Sequence, residues 1–175
     1  METIFTEKKS LTNEIEVKLN KQVEQEAIAS QHYLAFASWL HTQGLEGTAK
    51  FMYQHAEEER MHMMKLIKYI NDVGGQAQIP AIPVVRNAFT DLKEVLDLAL
   101  EHELSVSRSI NRLVEFCLDR KDFGTLQFLQ WFVEEQREEE KITRRIQELY
   151  RIIGTQNQGI WLFDKAVSEL TEQPA

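Results

Sequence analysis

Apolar positions recur every three or four residues through four long stretches of the chain, the period of an α-helix with one buried face. In the first stretch the seam reads Leu19, Val23, Glu26, Ser30, Tyr33, Ala37 and Leu40. Ser10 or Thr12 can cap its start, and the helix is expected to reach about Thr42. Gln43 to Gly47 make a tight connection. The second seam runs Met52, His55, Glu59, His62, Leu66, Ile70 and Val73, and Gly74-Gly75 supplies a stop. Residues 74–90 carry Pro80 and Pro83 and lose the periodicity, so they form a long connection. A third seam, capped by Thr90 or Asp91, reads Leu92, Leu96, Ala99, Glu103, Val106, Ile110, Leu113 and Cys117. After a turn around Lys121 to Thr125 the fourth reads Leu129, Phe132, Gln136, Glu139, Thr143, Ile146, Tyr150 and Ile153. A loop from Gly154 to Gly159 leads into a short amphipathic helix from Ile160 to about residue 171.

Loop lengths constrain the topology. Short connections make helices one and two, and helices three and four, antiparallel pairs. The long connection could span roughly 55 Å if extended, whereas a helix of about 28 residues is roughly 42 Å long. It can return along the whole bundle and leave helices two and three parallel. The expected fold is all-α: a four-helix bundle over residues 10–153 with one long crossover, a short fifth helix, and an N-terminal extension over 1–9. All of it forms a single domain.

The seams are interrupted by Glu26, Glu59, His62, Glu103, Gln136 and Glu139, near the middle of four different helices. Desolvating an unpaired carboxylate costs several kcal/mol or more, so something positive should hold these groups inside. A lone Glu on a helix usually faces water, and a lone His is usually structural. Ligand-capable residues at matching depth in four seams change that expectation and point to a metal centre. Glu59-x-x-His62 puts a carboxylate and an imidazole on one helix face. Glu26 and Glu103 can add oxygen ligands, and Gln136-x-x-Glu139 supplies the fourth helix. Oxygen ligands with one imidazole suit iron better than a structural zinc. Glu58 and Glu135 adjoin this set and suggest a peripheral cation site. Tyr33 either lies beside the metals or is an ordinary core tyrosine. His32, His41, His55 and His102 receive no metal role.

Composition agrees and narrows the class. Three prolines and seven glycines leave few helix breakers, and the formal net charge of −8 argues against a nucleic-acid surface. A single cysteine, Cys117, excludes an intrachain disulfide and a thiolate cluster. No signal-like leader and no membrane-length apolar run is evident, so a cytoplasmic location is expected.

Three stretches carry a family resemblance: His55-Ala-Glu-Glu-Glu-Arg-Met-His62, the run from Phe128 to Glu140, and Phe163-Asp-Lys165. With them the chain resembles the bacterial non-haem ferritins from about Leu19 to Leu170. The resemblance implies a ferritin-like di-iron site, with one iron between Glu26, Glu59 and His62. The second would lie among Glu59, Glu103 and Glu139, with Gln136 close by and Tyr33 beside the centre. A third iron site would use Glu58, Glu135, Glu138 and Glu139. It further implies a ferroxidase that oxidises Fe(II) with dioxygen or hydrogen peroxide and stores ferric mineral in a 24-subunit homo-oligomer. The fifth helix would line channels of that shell with an apolar face from Ile160 to Phe163. Bacterioferritins carry a second Glu-x-x-His and a methionine after the first motif's Glu. Gln136-x-x-Glu139 and Arg60 stand here instead, so no haem is expected. Two rivals remain: a non-catalytic helical bundle that binds partners, and a di-iron oxygenase, which would need an apolar substrate pocket beside the metals.

Overall fold

The computed structural model describes residues 10–170, all helix and connecting loop. The N-terminal extension and the last few residues lie outside the described part. The helices are α1 (Asn13–Thr42), α2 (Glu46–Asp72), α3 (Leu92–Asp119), α4 (Phe123–Ile153) and α5 (Gly159–Leu170). Side-chain caps resolve the open choices of start. Thr12 caps α1 by accepting from the Ile15 N–H, and Asp91 caps α3 by accepting from Glu94. Asp122 accepts from the Thr125 N–H and starts α4 at Phe123, a little earlier than the turn expected there.

Helix α2 breaks the capping rule locally and satisfies it at long range. Its N-cap, Leu45, offers no side-chain acceptor. The carboxylate of Asp164 on α5 fills the role instead. Gly47 N donates to Oδ2 at 2.9 Å, and Thr48 N and Oγ1 donate to Oδ1, each at 2.7 Å. A charged acceptor at a helix N-terminus also meets the positive end of the dipole. Gly47 is what lets α5 come so close: a Cβ there would lie 2.3 Å from the Asp164 carbonyl oxygen.

The core is divided in two. One cluster joins the end of α1 to the starts of α2 and α3, the end of α4, and Phe163 and Val167 of α5. The other joins the start of α1 to the ends of α2 and α3 and the start of α4. Because the starts of α2 and α3 share one end of the bundle, these helices run parallel, and the crossover of residues 73–91 spans its length. Between the clusters lies a buried polar layer containing Glu26, His55, Glu59, His62, Glu103, Gln136 and Glu139.

Helix α1 packs on α2 and on α3, and α3 packs on α4. Among the described residues no Cα of α2 comes within 8 Å of one of α4. Long side chains span that face instead: Tyr69 stacks on Phe128, and His62 packs edge-on against Trp131 and Phe132. On α5 only Phe163 and Val167 are buried, while Trp161 and Leu162 are exposed, so half of the apolar face expected there points outward. No described helix is long and apolar enough to cross a membrane.

Candidate metal centre

Each helix of the bundle brings carboxylate or imidazole to the polar layer because its seam continues through that depth. Glu26, Glu59 and His62 converge so that one ligand atom from each lies within 4.8 Å of the others. His62 Nδ1 is 3.4 Å from Glu59 Oε2. Glu59, His102 and Glu103 form a second group of the same size, with His102 Nε2 3.8 Å from Glu59 Oε1. Glu59 belongs to both groups. On the α4 side, His62, Glu135 and Glu139 form a third group, and His55, Glu58 and Glu139 a fourth.

Tyr33 lies fully buried in this layer and donates a short hydrogen bond to Glu103 Oε1. Its phenol thus belongs to the polar layer, not to an isolated apolar core. Gln136 donates through Nε2 to Glu103 Oε2 at 3.1 Å and approaches the Glu103 carbonyl at 3.4 Å. Its amide therefore orients Glu103. Glu138 departs from expectation. It is exposed and pairs with Arg137 and Lys141, because a one-residue step along the helix turns it away from the face that Glu139 occupies.

His55 and His102, to which the sequence pattern assigns no metal role, both enter these groups. His55 stands one turn before Glu59 on the same seam, a spacing that could have marked it. Nothing in its own helix reveals that α4 brings Glu139 against it. His102 is off the seam, and only its neighbour Glu103 hinted at it.

The charges crowd. Burial, then the Glu26 and Glu103 carboxylates, push the Glu59 carboxyl well above its usual range. Burial and the Glu139 charge raise Glu103 to about 7, against the hydrogen bonds from Tyr33 and Gln136. Burial, then His32, lowers the His102 imidazole to about 4, which keeps it neutral and able to ligate. Burial disfavours a charged Glu139, but His55 and His62 outweigh it and hold the carboxyl below its usual range. Buried Glu26 Oε2, Glu59 Oε2 and Glu139 Oε2 have no hydrogen-bond partner among the described residues. Orphaned, buried carboxylate oxygens are what cations satisfy. This donor set suits hard or borderline divalent ions such as Fe(II).

A helical bundle whose core is cut by carboxylates and imidazoles from every long helix defines the class of carboxylate-bridged metal proteins. The Ferritin-like domain family matches residues 16–153. A probable bacterial non-heme ferritin-like protein of Haemophilus influenzae is 41% identical over 153 residues, covering 87% of this chain and 93% of that protein. The bacterial non-heme ferritin of Campylobacter jejuni is 36% identical over 160 residues, covering 91% and 96%. An open-pore ferritin from Archaeoglobus fulgidus superposes with a TM-score of 0.88 at 33% identity, covering 91% of this chain and 98% of that one. The chain belongs to the ferritin family, of the bacterial non-haem kind. Its place is among the iron-storing ferroxidases.

Proposed function

We propose that the chain binds two Fe(II) ions in its polar layer, one at Glu26, Glu59 and His62 and one at Glu59, Glu103 and Glu139. Gln136 orients Glu103, and Tyr33 stands beside it. The observation that carries this reading is Glu59, which belongs both to the Glu26–Glu59–His62 group and to the Glu59–His102–Glu103 group and is left with an orphaned buried oxygen, while Glu139 falls in the adjoining groups with His62 and Glu135 and with His55 and Glu58. Iron is here the substrate. Each ferrous ion gives up one electron, and the pair reduces one dioxygen, or one hydrogen peroxide, by two electrons. The ferric product leaves to be stored, freeing the carboxylates for the next pair. Their number matters, because four carboxylates with neutral imidazoles balance most of the charge of two ferric ions and so favour the oxidised state.

The assembly proposed is a shell of 24 copies in the cytoplasm. The exposed Trp161 and Leu162 of α5, with Ile79 and Val84 of the crossover, are apolar surface that such contacts would cover. The oxygenase alternative gains no support. A pocket of about 840 Å³ is lined by His55 and Glu58 but by none of Glu26, Glu59, His62 or Glu103.

The test is to add Fe(II) in air to metal-free protein and follow ferric absorbance in the near ultraviolet. Oxidation should far outpace buffer, and a rate no faster than buffer would overturn the reading. Light scattering on the same sample should show a particle of hundreds of kilodaltons.

A further inference from the structure

Between α1 and α3 a cleft of about 220 Å³ is lined by three cations, Lys18, Lys21 and Arg112, and by Gln22, Gln25 and Ser109. No carboxylate lines it. That runs against the balance of the chain, which carries 28 acidic and 20 basic residues. Arginines elsewhere find carboxylates: Arg86 meets Glu94, Arg120 meets Glu14, and Arg144 meets Glu140. Among the described residues Arg112 has no ion pair, and Lys18 has only the Phe116 ring, 4.4 Å from its ammonium. Lys21 pairs with Glu24 at 2.6 Å, but that pair is solvated and holds the lysine weakly. Like charges gathered round one cleft repel, and a bound anion removes that cost.

The cleft also has a built floor. Gln22 is 2% exposed. Its Nε2 is committed to Glu26, so its Oε1 takes the Ser109 proton. Ser109 has one proton to give, so none is left for Gln25 Oε1, 2.7 Å away. The Gln25 amide is therefore free to turn its N–H groups toward an acceptor in the cleft. A guanidinium fork, two ammonium groups and an amide together suit an ion with several oxygens. No aromatic side chain lines the cleft to stack on a base, which points to a free inorganic ion rather than a nucleotide.

We propose that this cleft binds a small tetrahedral oxyanion, of the phosphate or sulfate kind, through Lys18, Lys21 and Arg112. The site uses none of the proposed iron ligands, and Gln22 alone touches both.

Selenate is the crystallographic probe, because it is a tetrahedral dianion whose selenium is located by anomalous scattering. Crystals of the assembled protein, grown without sulfate or phosphate and soaked in selenate, should show one peak in the cleft. Its oxygens should lie about 2.7–3.2 Å from Arg112 and from at least one of the two lysine ammonium groups. In solution, calorimetry of the metal-free protein with inorganic phosphate, at about 0.1 M chloride, should give one site per subunit. Arg112→Gln should weaken binding by at least about tenfold, through loss of a charge-assisted contact. Lys68→Gln, which removes an exposed cation on α2, should change it by less than about twofold, because distant charges are screened. A peak in the crystal with no binding in solution would mean an adventitious ion only and overturn the proposal. Equal weakening in both variants would overturn it too, because net charge alone would then be responsible. Adenosine monophosphate binding more tightly than inorganic phosphate would overturn the choice of an inorganic ion. If Arg112→Gln does not assemble, Lys18→Gln makes the same comparison.

Discussion

Gln22 holds Glu26 from one helical turn away: its Nε2 donates to Glu26 Oε1 at 2.8 Å, and both side chains are buried. The amide is itself oriented from α3. Ser109 Oγ lies 2.8 Å from Gln22 Oε1 and 2.7 Å from Gln25 Oε1, so its single proton serves one carbonyl at a time. An amide turned the other way would face its oxygen against a carboxylate. One oxygen of Glu26 is thus tied down, and the other, Oε2, is left for a metal.

Replacing Gln22 by Leu keeps the volume near enough and removes the tether. Metal affinity at Glu26, Glu59 and His62 should fall by roughly 10- to 100-fold, the usual cost of losing a group that orients a ligand. Co(II) titration followed by calorimetry measures it. An unchanged affinity would show that Glu26 needs no such support.

Glu59→Ala and His62→Ala should slow Fe(II) oxidation by at least about tenfold while circular dichroism stays that of a helical bundle. Metal-free Glu59→Ala should lose less stability than the usual large-to-small penalty. Removing a buried carboxyl crowded by Glu26 and Glu103 relieves desolvation and repulsion and so offsets part of the cavity left behind. Thermal unfolding of metal-free Glu59→Ala reads this directly, and a drop of more than ten degrees contradicts it.

Metal binding should expel protons, and fewer as the pH rises. With Glu103 raised to about 7, its carboxyl is about nine-tenths protonated at pH 6 and about one-tenth at pH 8. A cation requires the ionised form. Proton release on metal binding should therefore decline between those pH values by a sizeable fraction of a proton per subunit. Calorimetry in two buffers of different ionisation enthalpy counts it. In Glu103→Gln the decline should shrink, and a decline as large as the parent's would assign the titration to another group, His55 first, which Glu139 raises to about 8 against its burial.

Asp164→Ala should uncap α2. Three donors, from Gly47 and Thr48, lose their acceptor, and the cost expected for a lost N-cap is about 1–2 kcal/mol. Hydrogen exchange should quicken at Gly47 and Thr48 but not in the middle of α2. Gly47→Ala attacks the same contact from the other side, by steric push against the Asp164 carbonyl. Equal protection in both variants and the parent would mean the contact is dispensable.

How much of this could be read from the chain depended on distance along it. The four seams announce themselves because each helix repeats its pattern many times, and the interruption of every seam at a similar depth exposed the polar layer. The long connection gave the crossover its reach. Choices within one helical turn were less visible. Glu138 and Glu139 are identical in kind and adjacent in sequence, and only the packed face separates the exposed ion pair of one from the buried site of the other. His55 looked solitary because its partner Glu139 comes from a helix 84 residues further on. The cap of α2 was hidden for the same reason.

That cap also bears on how the chain is made. Gly47 and Asp164 stand 117 residues apart, and everything between them includes most of the proposed iron ligands. On a ribosome, where chains emerge from the N-terminus, α2 leaves the exit long before the carboxylate that finishes its first turn. The helix bearing Glu59 and His62 must wait with an open end until almost the whole subunit has been synthesised. Closure of that end therefore marks a subunit as complete.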